Sequence, residues 1–374
     1  MESVSCGRVT VPATTIPLFD PEASLAPLRE RLVERVREVL DSGRFVLGPE
    51  LRSFEEEFAD YLGVEHVIGV GNGTDAITIA LLAMGVGPDD EVVVPSFTFY
   101  ASAEAIPPTG ATPVFCDIDP ETLCVTPDTV KAALTSKTKA VLAVDLFGNP
   151  APIPEIEALG VPVLEDAAQA AGSTLNGQKA GALGTAATFS FYPSKNLGAF
   201  GDAGAVATED AELADRVRSL RSHGSRDKVT FDRLGFNTRM DEIQAALLRV
   251  LLPELDGWCE GRRRAARLYS EAGVGELVAE PRPIEGADPA WHLYVVRSER
   301  ADELLQALND AGIESRAYYR TPVHRQGPMT AYAAGADLSA TEEASRTNLA
   351  LPISPALDED QVARVVALMR ETLD

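Results

Sequence analysis

The chain has 374 residues, 45% of them hydrophobic, and a formal net charge of −24. That length supports a large core and more than one domain, while so acidic a balance argues against nucleic acid or an anionic membrane surface as the main partner. No apolar run reaches spanning length, and the N-terminus, MESVSCGRVTVPATT, lacks the basic-then-apolar layout of a signal peptide, so a soluble cytoplasmic protein is expected.

Residues 1–20 carry no periodic signal and are expected to lie along another surface of the protein. A helix follows, with Leu28, Leu32, Val36 and Val39 on one face and Gly43 as its stop. A second begins near Pro49, with Leu51, Phe54, Phe58 and Leu62 at helical spacing. Next, HVIGVGNGTDAITIALLAMG reads as strand, glycine turn and helix, and EVVVP, TPVFCDI, AVLAVDLF and VPVLEDAA read as further strands with helical intervals between most of them. Apolar strands alternating with helices imply a parallel sheet covered on both faces. Ligands of such sheets bind at the carboxyl ends of strands, so Asn72, Ser96, Asp145 and Asp166 are expected to converge on one crevice. AATFSF and AGAVAT read as two more buried strands, joined by the polar, glycine-punctuated loop within SFYPSKNLGAFGDAG.

After Met240 the character changes. A long helical tract is broken at Pro253, which marks the expected boundary between residues 1–252, a large α/β domain with its N-terminal segment, and 253–374, a smaller α+β domain. That smaller part predicts a strand at His292–Arg297, a helix at Asp302–Ala311, a strand near Ile313–Arg316 and a final helix from Asp358. Cys6, Cys116, Cys124 and Cys259 show no metal-ligand spacing and read as unpaired thiols; no metal site is expected.

Several residues carry chemistry. Lys195, on its loop at the edge of a buried sheet, can form a Schiff base with a carbonyl cofactor, because a desolvated lysine loses its charge readily; a solvated loop lysine is the bland alternative. GVGNGTDAI, Gly69 to Ile77, turns into a helix whose first amides and dipole favour a phosphate. A dinucleotide fingerprint fails there, since its third glycine would fall at Thr74 and Glu91 opens the next strand instead of closing it. Asp166 ends an apolar strand, where a carboxylate can bind metal, act as a base or hold a protonated ring nitrogen. Paired with a Schiff-base lysine, it suits the pyridinium nitrogen of pyridoxal phosphate. Phe99 and Tyr100 lie just past a strand end, where an aromatic ring can stack on a pyridine or simply join the core. From Arg216 to Arg239 the charge reverses, with Arg216, Arg218, Arg221, Arg226, Lys228, Arg233 and Arg239 against Asp227 and Asp232. In so acidic a chain this island suits an anionic small molecule, a solvated helix face being the alternative.

Taken in order, GNGTDAI, PSFTFYAS, EDAAQA, SFYPSKNLGAFGDAG, HGSRDK and GFNTRMDEIQAALLR resemble the sugar aminotransferases of the DegT/DnrJ/EryC1/StrS family, from Ile16 to the C-terminal helix. The resemblance implies an α/β fold like that of aspartate aminotransferase (pyridoxal-phosphate fold type I), with a large, mostly parallel-sheet domain, a smaller C-terminal α+β domain, and a homodimer with shared active sites. It implies that Lys195 holds pyridoxal 5'-phosphate, with pyridoxamine 5'-phosphate between the half-reactions, and that Asp166 partners the ring nitrogen. Gln169 would sit beside the phenolic oxygen and Phe99 would stack on the ring. Gly73, Thr74, Asp75 and Ser190 would meet the phosphate, and Asn237 would reach it from the neighbouring subunit; as a residue alone, Asn237 could equally cap a helix beginning near Arg239.

Two positions depart from the family pattern: Asp145 stands where many relatives have histidine, and Ala203 replaces a usual glycine, adding a methyl close to the cofactor loop. GDAG after KNLGAF, with AYYRTPVH, is closer to enzymes acting at C3 of a nucleotide-linked 3-keto-6-deoxyhexose than to those acting on 4-keto sugars. Tyr192, Lys228, Tyr318 and Tyr319 resemble substrate-facing positions of that group, and Arg226 with Lys228 would face the diphosphate. The expected reaction moves an amino group from an amino acid, glutamate by resemblance, to C3 of such a sugar. The same chemistry on a 4-keto sugar or keto-inositol is the nearest alternative, and a cofactor-binding regulator without turnover the distant one.

Overall fold

Strands that lack a polar face need cover on both sides, and the apolar runs pair accordingly. In the computed structural model, which describes residues 15–333 and 335–374, the chain forms β1 (His66–Val70), β2 (Glu91–Pro95), β3 (Thr112–Cys116), β4 (Thr138–Val144) and β5 (Val163–Asp166). Two short strands follow, β6 (Thr174–Leu175) and β7 (Gln178–Lys179), then β8 (Ala186–Ser190) and β9 (Gly204–Thr208). Seven of these make one sheet in the order β1-β9-β8-β5-β4-β2-β3. The pairings of β2 with β3 and β4, of β4 with β5 and of β5 with β8 are parallel. β9 alone runs antiparallel to its neighbours, β8 and β1. A parallel return needs a crossover of a dozen or so residues, usually a helix; the loop between β8 and β9 contains none, so the chain turns straight back. That loop carries Lys195.

The helix Pro49–Leu62 buries Leu51, Phe54, Phe58 and Leu62 against this turn: Phe58 meets Phe189 edge-on at 5.0 Å, and Phe54 meets Phe191 at 5.5 Å. Its N-terminal amides are satisfied from far along the chain, because Glu242 accepts from Gly48, Glu50 and Leu51 at 2.8, 2.9 and 3.1 Å. Gly48 must stay small, since a Cβ there would lie 2.4 Å from Glu242 Oε2. The preceding helix, Arg29–Ser42, stops at Gly43 with φ of 64°, as expected.

Downstream, the helical tract breaks into Glu242–Leu251 and Leu255–Glu271 through a turn at Leu252–Glu254 that contains Pro253. β10 (Ala287–Asp288) joins β6 and β7, and β11 (Tyr294–Arg297) pairs antiparallel with β12 (Asn348–Leu351). The strand expected near Ile313–Arg316 is not continuous. Ile313 bridges Ile16 and Arg316 bridges Ala350, so the segment touches two different partners once each and forms no ladder. Ile16 is buried, while the rest of the expectation for residues 1–20, up to Thr14, falls outside the described residues, as does Cys6. Cys116, Cys124 and Cys259 are buried free thiols. No helix among the described residues is long and apolar enough to cross a membrane.

Candidate active site

A cavity of about 1000 Å³ opens at the carboxyl ends of the parallel strands. One wall is the helix Gly73–Ala83, which follows β1. Asn72 caps it, its Oδ1 accepting from the Asp75 amide at 2.8 Å while its Nδ2 donates to Asp75 Oδ2 at 3.0 Å. The helix start is pressed against the ends of β8 and β9. A Cβ on Gly73 would lie 2.8 Å from Ser190 Cβ, and one on Gly204 would lie 2.5 Å from the Asn72 carbonyl carbon. Gly73, Thr74 and Asp75 line the cavity beside Ser190, with no side chain on Gly73.

Lys195 enters from the loop joining β8 to β9. The loop is pinned at its base, where Phe191 donates to Ala203 O at 2.8 Å and Ala199 donates to Phe191 O at 2.7 Å. Lys195 itself donates its backbone amide to Tyr192 O at 2.8 Å, and Asn196 Nδ2 reaches Ala290 O at 3.0 Å. Burial lowers the Lys195 ammonium to about 8, and Asp166 opposes that shift. Asp166, at the end of β5, accepts from Ser102 Oγ at 2.8 Å and from the Ala168 amide at 3.2 Å. Burial pushes its carboxyl above the ordinary value, against the pull of these two donors and of Lys195. Gln169 accepts from the Phe147 amide through Oε1 at 2.7 Å and donates through Nε2 to the Tyr319 hydroxyl at 3.2 Å. Phe99 is 55% exposed and lines the cavity, its ring centroid 6.0 Å from that of Tyr319.

The cavity thus brings together Gly73, Thr74, Asp75, Phe99, Asp166, Gln169, Ser190, Tyr192, Lys195, Tyr318 and Tyr319 from distant parts of the sequence. Arg226, Lys228 and Asn237 do not line it in their own chain. Asn237 is no helix cap either: the helix begins at Glu242 with Asp241 before it, and Asn237 instead bridges Ser222. The basic island is less open to anions than its composition suggests, because Arg216 pairs with Glu212, Arg221 with Glu55 and Arg226 with Asp215.

The expected convergence of four strand-end residues holds for two. Asn72 and Asp166 line the cavity, whereas Ser96 is fully buried and bonded to His324 Nδ1 at 2.7 Å. Asp145 is also fully buried, accepting from the Ala151 amide at 2.8 Å, and burial with the neighbouring Glu165 holds its carboxyl well above the usual range. The second departure, Ala203, lines the cavity. No group of three or more His, Cys, Asp or Glu among the described residues could hold a metal.

Ser102, His292 and Arg316 belong to the site without having been singled out in the sequence. Ser102 lies inside PSFTFYAS, but nothing local marks it as the partner of a carboxylate 64 positions away. His292 begins an expected strand, and Arg316 sits in a stretch that sequence alone reads as one.

This geometry matches known proteins. Residues 27–370 match the DegT/DnrJ/EryC1/StrS aminotransferase family. The chain is 44% identical to a protein of Geobacillus stearothermophilus described as a pleiotropic regulatory protein, over 95% of this chain and 98% of the relative. It is likewise 44% identical to the dTDP-3-amino-3,4,6-trideoxy-α-D-glucose transaminase of Streptomyces venezuelae, over 95% of this chain and 96% of that one. Among solved structures, S. venezuelae DesV in complex with a ketimine intermediate superposes with a TM-score of 0.92 at 42% identity, covering 97% of this chain and 99% of the other.

Proposed function

The chain belongs to the DegT/DnrJ/EryC1/StrS aminotransferase family, and from that premise we propose that its cavity transfers an amino group from an amino acid, with glutamate as donor, to C3 of a nucleotide-linked 3-keto-6-deoxyhexose. It is a pyridoxal-phosphate-dependent nucleotide-sugar aminotransferase. The observation that carries the reading is that a desolvated Lys195 and Asp166 line one cavity together with the start of the helix Gly73–Ala83.

The residues fit the cofactor. Gly73 lets the helix start pack directly against Ser190, and the backbone of the helix start, Thr74, Asp75 and the Ser190 hydroxyl, which line the cavity together, would hold a phosphate. Phe99 offers a ring face for stacking, and Gln169 Nε2 would stand near the phenolic oxygen. When bound, pyridoxal 5'-phosphate supplies an aldehyde that takes up amines and a ring that accepts the electrons released when the neighbouring C–H bond breaks. The chain does the rest. Asp166, whose carboxylate Ser102 and the Ala168 amide hold in place, would keep a proton on the ring nitrogen by its negative charge. Lys195 would hold the cofactor covalently, and its Nζ, whose ammonium burial lowers to about 8, would take the proton from the donor's α-carbon and carry it across the reacting nitrogen. The same Nζ would move a proton in the opposite sense on the sugar. Tyr192, Tyr318 and Tyr319 line the same cavity and would meet the sugar.

A homodimer with shared sites completes the proposal. Asn237, Arg226 and Lys228 lie on a segment that turns away from its own cavity and exposes Val229, Phe231 and Leu234. In a dimer this segment would cover those apolar groups, bring Asn237 to the neighbour's phosphate and aim Lys228 at the diphosphate. We place the domain division at Pro253 and the protein in the cytoplasm, where nucleotide sugars and amino acids are both supplied.

Amine formation on a panel of 3-keto and 4-keto nucleotide sugars and a keto-inositol tests the reading. Product aminated at C3 is expected. Amination only at C4 or on the inositol would move the substrate assignment, and no turnover by cofactor-loaded protein on any of them would leave a regulator.

A further inference from the structure

The segment that carries Tyr318 and Tyr319 is fastened at both ends. At one end Ala350 of β12 donates to Arg316 O at 2.7 Å, and the Tyr318 amide donates to Asn348 Oδ1 at 2.6 Å. At the other end the fastening point is Ser96, which directly follows β2. Ser96 O accepts from the Val323 amide at 3.0 Å, and Ser96 Oγ accepts from the His324 amide at 3.1 Å. The hydroxyl donates to His324 Nδ1 at 2.7 Å, which leaves the Nε2 proton of the ring for Glu342 Oε1 at 2.8 Å. Glu342 is held in turn. Arg325 pairs with it, and its helix, Ser339–Thr347, donates the Ala340 and Thr341 amides to Asp117, just past β3, at 2.9 and 2.8 Å.

A serine, a histidine and a glutamate in series can make a hydrolase, but not here. Ser96 is fully buried, so its oxygen cannot meet a substrate carbonyl. A buried hydroxyl costs stability unless it is bonded, and among the described residues this one bonds only with His324. The three groups therefore form a joint, which ties a strand end before Pro253 to a segment after it. What the joint holds is a wall of the cavity. Phe99 lies on the same exit from β2, and Tyr318 and Tyr319 lie between the two fastenings. The Tyr319 ring stands 6.0 Å from Phe99 and 6.3 Å from Phe97. We propose that His324 is a positioning residue: through Ser96 and Glu342 it sets Tyr318 and Tyr319 against Phe99, and so fixes where the nucleotide-linked sugar sits. The inference rests on the aminotransferase reading above, in which these tyrosines meet the sugar. The donor half-reaction is spared, because Gln169 keeps its bond to the Phe147 amide whether or not Tyr319 moves.

The two half-reactions, each followed by the absorption of cofactor-loaded enzyme, test it. In His324→Ala the concentration of nucleotide-linked 3-keto-6-deoxyhexose giving half the limiting rate should rise about tenfold, while glutamate saturation changes by less than about twofold. His324→Asn, whose Oδ1 can still accept from Ser96, should recover part of the loss. Ser96→Ala opens the same joint from the strand side and should act like His324→Ala, so it carries the test if that variant does not fold. Unchanged sugar saturation in variants whose melting shows them folded would overturn the proposal. So would equal losses in both half-reactions, which would make the joint a brace for the fold alone, or a shift confined to glutamate. Each of these outcomes leaves the aminotransferase reading standing, whereas failure of both half-reactions in the unaltered protein would sink that reading itself.

Discussion

The loop that carries Lys195 is tied down by its own chain, whereas the segment from Ser225 to Asn237 offers much of itself to solvent. Around Lys195, backbone bonds close the base of the loop, Phe191 is fully buried among Phe54, Phe58 and Phe189, and Asp166 has two donors. Along the other segment, Val229 is 81% exposed, Phe231 59% and Leu234 95%. Three apolar side chains presented together by one short stretch are the mark of a surface that meets another protein. The difference separates two kinds of readiness. The groups proposed to move the proton lie within one chain, whereas in the proposed dimer the anion contacts on the exposed segment would serve a second.

The closed region is broken most severely at its lysine. Lys195→Ala should lower turnover by at least about 10³-fold, since it removes both the covalent anchor and the proton carrier. Borohydride should fix cofactor on unaltered protein at this residue and not on the variant. Labelling of another lysine would overturn the assignment. Asp166→Asn leaves the shape and removes the charge, and should slow both half-reactions by about 10²- to 10³-fold with the fold intact; near-normal rates would mean that the electron sink is maintained by some other group.

The open region is sharpened by mixing variants. Asn237→Ala alone should be strongly impaired. If Asn237 serves the neighbouring site, exchange of subunits with Lys195→Ala makes hybrids in which one site carries both lesions and the other neither. Each hybrid dimer should then recover about half the activity of the unaltered dimer, by count of intact sites. Confirmed exchange without recovery would confine Asn237 to its own subunit and remove the functional meaning given to the exposed segment.

The same contrast explains what could be read from the sequence. The parallel strands, the helix at Pro49 and the Lys195 loop are written in local patterns, because burial on both faces and tight turns each demand particular residue types. β12 was invisible for the opposite reason: Asn348–Leu351 is four residues long, directly follows a helix and is defined by its pairing with β11. The fate of Asp145 was equally hidden. Nothing in VDLFGN tells whether a strand-end carboxylate turns towards the crevice or, as here, into the core beside Glu165. Strand ends locate a site; side-chain direction comes from packing that the chain makes far away.

The smallest effect concerns how dry the closed region is. Burial lowers the Lys195 ammonium to about 8, from an ordinary value of 10.5. Uptake of pyridoxal phosphate by cofactor-free protein needs the neutral amine, so its rate should climb about tenfold per pH unit below that value and level off above it. Measuring the same aldehyde against a simple alkylamine corrects for titration of the aldehyde itself. The sign of the Asp166 effect provides a second check. A nearby carboxylate favours the charged ammonium and so holds the lysine higher than burial alone would. Asp166→Asn should therefore move the levelling point to lower pH, a modest shift in the direction opposite to that expected if the carboxylate acted as a base towards the lysine. A profile that keeps climbing towards 10.5 in the unaltered protein would show the lysine to be solvated, and the contrast between a closed corner and an open segment would lose its first half.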